Sequence, residues 1–245
     1  MARQPRLSVP GVVHYVVQRG HNGGAIACDA HDAEQLLQVL REAARMHRVV
    51  LHAYALTPGE LRLLATPETG DGLSRMMQAL GRRHASAFNR RHGRTGALWD
   101  GRFRSALIEP GASTLLALRQ VDALVAAGAA DGPGGWPLAE REAPAPVGIE
   151  RSSLAHRTGG RRDAALVDPA AYWQLGNTPF ERESRYRLLA AEPLAATEQL
   201  ALQQALQGGR AFGSPAFLAD LARQVDRPLV PRPRGRPRGR PRRPV

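Results

Sequence analysis

The sequence predicts an α+β fold: a ferredoxin-like, split β-α-β-β-α-β domain with an antiparallel sheet, followed by a helical C-terminal region and a disordered basic tail. Three observations support this prediction. Short β-branched runs alternate with longer segments of helical periodicity. A Pro58-Gly59 turn joins two strands directly. The last fifteen residues, 231–245, carry seven Arg and no acidic residue, so they cannot build a core.

The elements of the first half follow from periodicity. Val12, Val13, Val16 and Val17 give the first strand its β-branched character. The predicted strands lie at 12–18, 49–56, 60–66 and within 102–109, and the predicted helices lie at 31–48, 72–92 and about 112–127. Helices on one face of such a sheet leave the other face uncovered, and we expect a site on that second face.

The chain divides into four predicted parts. Residues 1–130 are predicted to form the α+β domain, and the stretch at 131–149, which is rich in Gly and Pro, is predicted to be a linker. Residues 150–230 form a mostly helical region, with helices predicted at 181–191, 194–207 and 214–225. The tail at 231–245 contains an Arg-Gly-Arg-Pro core like that of an AT-hook; a non-specific polycation is the alternative interpretation.

The charge of the chain favours a polyanionic partner. The net charge is +12, the isoelectric point is about 11.3, and all 34 basic residues are Arg. A basic chain of this kind usually binds nucleic acid, whereas a membrane surface requires an amphipathic helix or a lipid anchor, and neither is evident. The single Cys28 excludes an internal disulfide framework and a Cys-based zinc site. The N-terminus lacks a signal peptide, so we expect a cytoplasmic, nucleoid-associated protein.

A series of motifs over residues 10–128 resembles the REP-associated tyrosine transposases of the HUH-type single-tyrosine superfamily. These motifs are Pro10-Gly11, QRGHN (18–22), HAYAL (52–56) with Pro58, GLSRMMQ (72–78) and FNRRHGRTGALWDGRF (88–103). Each motif alone is weak, but their order along the chain is specific. The resemblance is looser between 130 and 230, where Arg151-Ser152-Ser153 is the best match, and Gly235–Arg238 is similar to the basic ending of relatives.

The resemblance implies metal-dependent strand cleavage. In that family a His–hydrophobe–His triplet on the third strand binds Mg²⁺ or Mn²⁺, and a Tyr on the helix after the fourth strand attacks the phosphodiester. Residues two apart on a strand point to one face, so two imidazoles at this spacing can share one metal ion. The tyrosine forms a covalent 5′-phosphotyrosine intermediate.

This chain lacks those chemical groups at the matching positions. The triplet reads Glu60-Leu61-Arg62, and the position of the tyrosine is occupied by Gln120. Arg62 has no lone pair for a metal ion, although Glu60 has oxygens that suit Mg²⁺. The alternative is a surface ion pair between the two side chains. The sequence therefore predicts an inactive enzyme with no metal and no cofactor.

Arginine clusters supply the predicted nucleic-acid contacts. Seven Arg lie within 82–104 against the single acidic residue Asp100. Trp99 and Phe103 can either stack on an unpaired base or pack in the core. The predicted contact residues are Arg19, His21, Asn22, Arg83, Arg90, Arg91, Arg94, Arg102, Arg104, Arg234, Arg236 and Arg238.

Three hypotheses of function remain open at the level of sequence. The first is a DNA-binding transposase relative that binds hairpin or single-stranded repeats and has lost strand cleavage and transfer. The second is an active transposase with relocated catalytic groups, for which Tyr15, Tyr54, Tyr172 and Tyr186 are the available tyrosines. The third is an RNA-binding or regulatory protein on the same fold. Monomer and homodimer are both open.

Overall fold

A computed structural model of the protein describes residues 6–126 and 151–225. The first of these ranges contains β1 (Val13–Arg19), α1 (Ala30–Met46), β2 (Val49–Thr57), β3 (Glu60–Pro67), α2 (Gly72–Arg91), β4 (Arg104–Ile108) and α3 (Ala112–Ala126). The predicted order of elements is confirmed, and the bounds differ from the predicted ones by at most two residues. The predicted linker 131–149 and tail 231–245 lie outside the described residues.

The four strands of the first range form an antiparallel sheet in the order β2-β3-β1-β4. This is the strand order of a ferredoxin-like fold. The turn at Pro58-Gly59 closes the β2–β3 hairpin, with Thr57 opposite Glu60. In the β1–β3 pair, Arg19 lies opposite Glu60 and Val17 lies opposite Arg62. The polar ends of two strands are therefore adjacent.

Both faces of the sheet are covered, so the prediction of an uncovered second face is wrong. Helices α1 and α2 pack on the face that carries Leu61 and Leu63. Helix α3 and the C-terminal helices pack on the opposite face, which carries Tyr15, Val17 and Leu64. The physical reason is that the strands are apolar on both sides, and each apolar face must be covered to exclude water.

The C-terminal region adds to the same sheet. Its elements are β5 (Arg151–Ser152), α4 (Leu154–Arg157), α5 (Ala170–Trp173), α6 (Pro179–Ala191), α7 (Ala196–Gly208), β6 (Ala211–Phe212) and α8 (Pro215–Gln224). Strand β5 pairs antiparallel with β2, and β6 pairs parallel with β4. The three predicted helices are confirmed as α6, α7 and α8. Among the described residues no helix is both long enough and apolar enough to cross a membrane.

A buried ion pair connects this region to α3. The Arg157 side chain is fully buried on α4, and its guanidinium donates to the Asp122 carboxylate of α3 at 2.9 Å. The hydroxyl of Tyr186 on α6 donates to the same carboxylate at 2.6 Å, and the Ser153 hydroxyl donates to it at 2.9 Å. Buried charges require such pairing because desolvation is costly. One carboxylate therefore joins α3, α4 and α6.

We expect Asp122→Asn to destabilise the fold by about 3–5 kcal/mol, since it leaves the Arg157 charge buried without a counter-ion. The measurement is the free energy of unfolding from urea titration. Asp220→Asn is the matched control, because Asp220 pairs with Arg223 on an exposed helix surface and its loss should have a much smaller effect. Equal destabilisation by both variants would contradict the role given to Asp122.

Candidate active-site region and nucleic-acid interface

Glu60 and Arg62 lie on β3 with their side chains on the α3 face of the sheet. The Glu60 Oε2 atom accepts a hydrogen bond from Arg19 Nε at 2.5 Å, and its Oε1 atom accepts one from Arg62. The Glu60–Arg62 ion pair was predicted at the surface, and this location is wrong: Arg62 is only 6% exposed. Its burial follows from the packing of α3 and the C-terminal helices over this face.

The divalent metal ion implied by the resemblance does not fit these residues. Each Glu60 carboxylate oxygen already accepts from a guanidinium. Burial alone would lower the pKa of Arg62, but the adjacent Tyr15 and Glu60 raise it above its ordinary value, so the positive charge persists. A protonated guanidinium offers no lone pair and repels a cation. The triplet is a structural ion pair rather than a metal-binding site.

The position predicted for the nucleophile is occupied by a buried amide. Gln120 lies on α3, the helix that packs on the same sheet face as Arg62, and it is 7% exposed. A carboxamide is not a phosphoryl nucleophile, because its nitrogen lone pair is delocalised into the carbonyl. The sequence predicted the helix of Gln120 correctly. The Gln120 side chain has no group that can act as the nucleophile in place of a tyrosine hydroxyl.

All four tyrosines of the chain lie among the described residues, and all are buried. Their exposed fractions are 3% for Tyr15, 9% for Tyr54, 5% for Tyr172 and 0% for Tyr186. Three of the hydroxyl groups donate hydrogen bonds: Tyr54 to Asp163, Tyr172 to the Arg157 carbonyl and Tyr186 to Asp122. A nucleophile must reach the scissile phosphate, and these hydroxyls are held inside the protein.

The pKa of every tyrosine is raised, which is the opposite of nucleophile activation. Burial raises the pKa of Tyr54 and of Tyr172 to about 12, and it holds the pKa of Tyr186 well above its ordinary value. Tyr15 is the tyrosine beside Glu60 and Arg62. Burial also raises its pKa, although the Arg62 guanidinium opposes this shift. Each phenol therefore stays protonated at neutral pH.

These pKa shifts predict a loss of stability in alkali. Below pH 10 the phenols are neutral in both the folded and the unfolded state, so they do not change the free energy of unfolding. Between about pH 10 and 12 the unfolded chain releases phenol protons that the folded chain retains, so the free energy of unfolding falls with rising pH. The chain has no lysine, and arginine stays protonated, so tyrosines dominate this range.

The measurement is urea unfolding at pH 8, 10 and 11, with tyrosinate absorbance recorded at each pH. We expect tyrosine ionisation to accompany unfolding rather than to precede it. Ionisation of a tyrosine near pH 10 in the folded chain would reveal an accessible hydroxyl and would contradict the burial described here.

Three arginines that were predicted to contact nucleic acid form ion pairs within the protein. Arg19 pairs with Glu60, Arg83 pairs with Glu42 at 2.5 Å, and Arg91 pairs with both Asp29 and Asp32. These side chains join neighbouring elements of the fold. Their role as nucleic-acid contacts stays a prediction, and any such contact would have to compete with these pairs.

Four of the other predicted contact residues lie at the surface. Arg90, Arg94, Arg102 and Arg104 are exposed, and the first three form no ion pair within the described part of the chain. The Arg94 guanidinium lies over the Phe88 ring at 5.5 Å. Arg234, Arg236 and Arg238 belong to the tail, outside the described residues.

The exposed turn with His21 and Asn22 lies beside the loop that carries Arg102. The His21 amide donates to the Leu98 carbonyl at 2.9 Å, and the Asp100 amide donates to the Arg19 carbonyl at 2.9 Å. Gly20 also forms an isolated bridge with Trp99. The structure thus brings together two segments, 18–22 and 97–102, that the sequence had singled out separately.

Helix α2 presents a second basic surface. Arg82, Ser86 and Arg90 repeat every four residues, so they form one stripe about 12 Å long. The stripe borders a cleft against Gln35 and Val39 of α1. Arg82 is exposed and forms no ion pair with any described residue. The sequence counted Arg82 in the cluster but did not single it out; its spacing from Arg90 was the available signal.

The two aromatic candidates for base stacking are packed against the protein. The Trp99 indole nitrogen donates to the Gly81 carbonyl at 2.9 Å, and its ring is partly buried against the core. Phe103 is 8% exposed, with the Arg6 guanidinium 3.7 Å from its ring centre. The packing interpretation of both residues is therefore supported over the stacking one.

Comparison with known proteins finds two solved structures to which the chain is similar. No family model matches the chain, and no curated protein matches it. The chain is similar to the structure of a REP-associated tyrosine transposase bound to a REP hairpin, with 12% identity and a TM-score of 0.48 over 70% of this chain and 93% of that one. It is also similar to a protein from Deinococcus radiodurans R1 that is assigned as a transposase, with 22% identity and a TM-score of 0.35 over 44% of this chain and 87% of that one.

Proposed function

We propose that the chain is a DNA-binding protein of the transposase family that binds hairpin or single-stranded repeat DNA and does not cleave it through a tyrosine. The observation that carries the proposal is a contrast in exposure. Arg82 and Arg90 are exposed on α2 and form no ion pair among the described residues, whereas all four tyrosines are buried.

The binding half of the proposal rests on counter-ion release. A guanidinium that reaches a phosphate displaces a condensed cation, and this gain is available to Arg82 and Arg90 without breaking an ion pair seen in the structure. Arg83 lies between them in sequence but is paired with Glu42. The stripe thus offers two planar donors on one helix face, with the Ser86 hydroxyl between them.

The identity of the nucleic acid rests on the motifs. The segments 18–22 and 88–103 carry the resemblance to transposases that act on hairpin repeats, and they supply His21, Asn22, Arg94 and Arg102 to the surface. Phosphate contacts alone do not separate DNA from RNA, so preference for a matched RNA hairpin is the outcome that would favour an RNA-binding protein.

The cleavage half of the proposal rests on missing chemical groups. The metal-binding triplet is replaced by the Glu60–Arg62 ion pair, and the nucleophile is replaced by Gln120. Tyr15 is the one observation that favours relocated catalysis, since its hydroxyl lies beside Arg62. Its burial and raised pKa oppose that role, because the phosphodiester cannot reach it and its phenolate is disfavoured.

The double variant Arg82→Ala/Arg90→Ala tests the α2 surface. We expect weaker binding to a single-stranded hairpin oligonucleotide and a slope of log affinity against log salt that is shallower by about 1.4–1.8, since each lost phosphate contact contributes about 0.7–0.9. Fluorescence anisotropy at several salt concentrations measures both quantities.

Arg185→Ala/Arg223→Ala is the matched control, because it removes the same charge from two exposed arginines that pair with neighbours on their own helices. Its salt slope should stay unchanged. The α2 interface is wrong if the two double variants lose affinity equally, or if neither changes the slope.

A further inference from the structure

Three potential ligand groups meet where α1 begins and α2 ends. Cys28 precedes α1, Asp32 lies in the first turn of α1, and His92 is the residue directly after α2. Their potential ligand atoms all lie within 4.8 Å of one another, although Cys28 and His92 are far apart in sequence. The expectation that a single cysteine excludes a Cys-based zinc site considered cysteines alone, whereas folding places an imidazole and a carboxylate beside Cys28.

The contacts around Asp32 orient this cluster. Its carboxylate is fully buried, and the Oδ2 atom accepts from His92 Nε2 at 2.8 Å and from the Cys28 amide at 2.8 Å. The Oδ1 atom accepts from Arg91, whose Nη1 atom also lies 3.4 Å from His92 Nε2, so this guanidinium has to move away from the ring when a cation binds. The His92 ring packs on Phe88 with centroids 4.4 Å apart. Residues outside the cluster thus position Asp32 and His92, and Cys28 is partly buried against the core.

We propose that Cys28 Sγ, Asp32 Oδ2 and His92 Nε2 form a zinc-binding site. Thiolate, imidazole and carboxylate are the ligands of Zn²⁺, whereas Mg²⁺ and Ca²⁺ prefer oxygen ligands throughout. Bond lengths of about 2.0–2.3 Å place tetrahedral ligands roughly 3.3–3.8 Å apart. Ligand atoms that lie up to 4.8 Å apart therefore close by about 1 Å on binding, whereas Asp32 Oδ2 and His92 Nε2, which lie 2.8 Å apart, separate by roughly 0.5 Å. Three protein ligands leave the fourth position for water.

Zinc binding changes the protonation of the Cys28 thiol and the His92 ring. The Cys28 thiol loses its proton to solvent and becomes the thiolate ligand. The His92 ring carries its proton on Nδ1 in the bound form, so that Nε2 offers a lone pair to the metal. The hydrogen bond between His92 and Asp32 is replaced by two metal bonds, while Arg91 keeps its bond to the other carboxylate oxygen.

A bound ion would join the start of α1 to the end of α2. Arg90 and Arg94 flank His92 in sequence, so zinc would stabilise the segment that carries part of the proposed DNA surface. The zinc site does not depend on DNA binding, and each proposal can fail without the other.

Titration of the full chain with Co²⁺ and then Zn²⁺ tests the site. Because Cys28 is the only cysteine, a thiolate-to-cobalt charge-transfer band can arise only from it. We expect one ion per chain, displacement of Co²⁺ by Zn²⁺, and loss of the band in Cys28→Ser. His92→Ala should weaken zinc affinity by more than the roughly 10–100-fold that loss of an outer-shell partner causes.

Two further variants distinguish ligation from structural roles. His92→Gln keeps a hydrogen-bond donor toward Asp32 but is a poor zinc ligand, so it should retain the fold, checked by circular dichroism, and lose zinc. His31→Ala removes an exposed histidine from the same helix start and should bind zinc normally. Absence of the band, a band that persists in His92→Gln, or one ion per two chains would overturn the proposal.

Discussion

The carboxylate of Asp122 is the constraint on which much of this structure depends. The fully buried guanidinium of Arg157 needs a counter-charge, and Asp122 on α3 provides it. Tyr186 and Ser153 complete the coordination of that carboxylate by hydrogen bonds. The four groups come from α3 and from three positions in the C-terminal region, so their contacts join this region to α3 on the second sheet face. The sheet therefore has an interior on both sides.

The enclosed second face explains why Arg62 and Gln120 are buried. Arg62 and Gln120 belong to the face covered by α3 and the helices beyond it. A buried arginine requires a carboxylate partner, and Glu60, two residues before Arg62 on the same strand, supplies it. The pair satisfies the needs of a buried charge and leaves no ligand for a metal ion. Tyr15, on the adjacent strand, is enclosed by the same packing.

The order and bounds of the main elements were predictable because periodicity, β-branched runs and the Pro58-Gly59 turn are local signals. The coverage of the second face was not, since an apolar strand residue such as Leu64 does not reveal which helix it meets. Strands β5 and β6 are two residues long and have no periodicity to detect. Their pairing depends on the distant strands β2 and β4.

The candidate site was predictable only in part, because local sequence gives the chemical groups but not their tertiary contacts. The motifs direct attention to Glu60, Arg62 and Gln120 without any knowledge of the structure. The difference between Arg82 and its neighbour Arg83 cannot be read from the sequence, because it depends on Glu42 of another helix. The proximity of Cys28 and His92 is likewise a product of helix packing. Local sequence identifies the chemical groups, and tertiary contacts decide which of them are available to a ligand.

The most direct test of binding without cleavage is a single reaction that reports both. The full chain is incubated with an end-labelled single-stranded hairpin and Mn²⁺, and the products are divided between a native gel and a denaturing gel. The account predicts a shifted complex on the native gel and only intact, protein-free DNA on the denaturing gel. A covalent protein–DNA adduct or a cleaved strand would contradict it, and loss of that product in Tyr15→Phe would identify Tyr15 as the nucleophile.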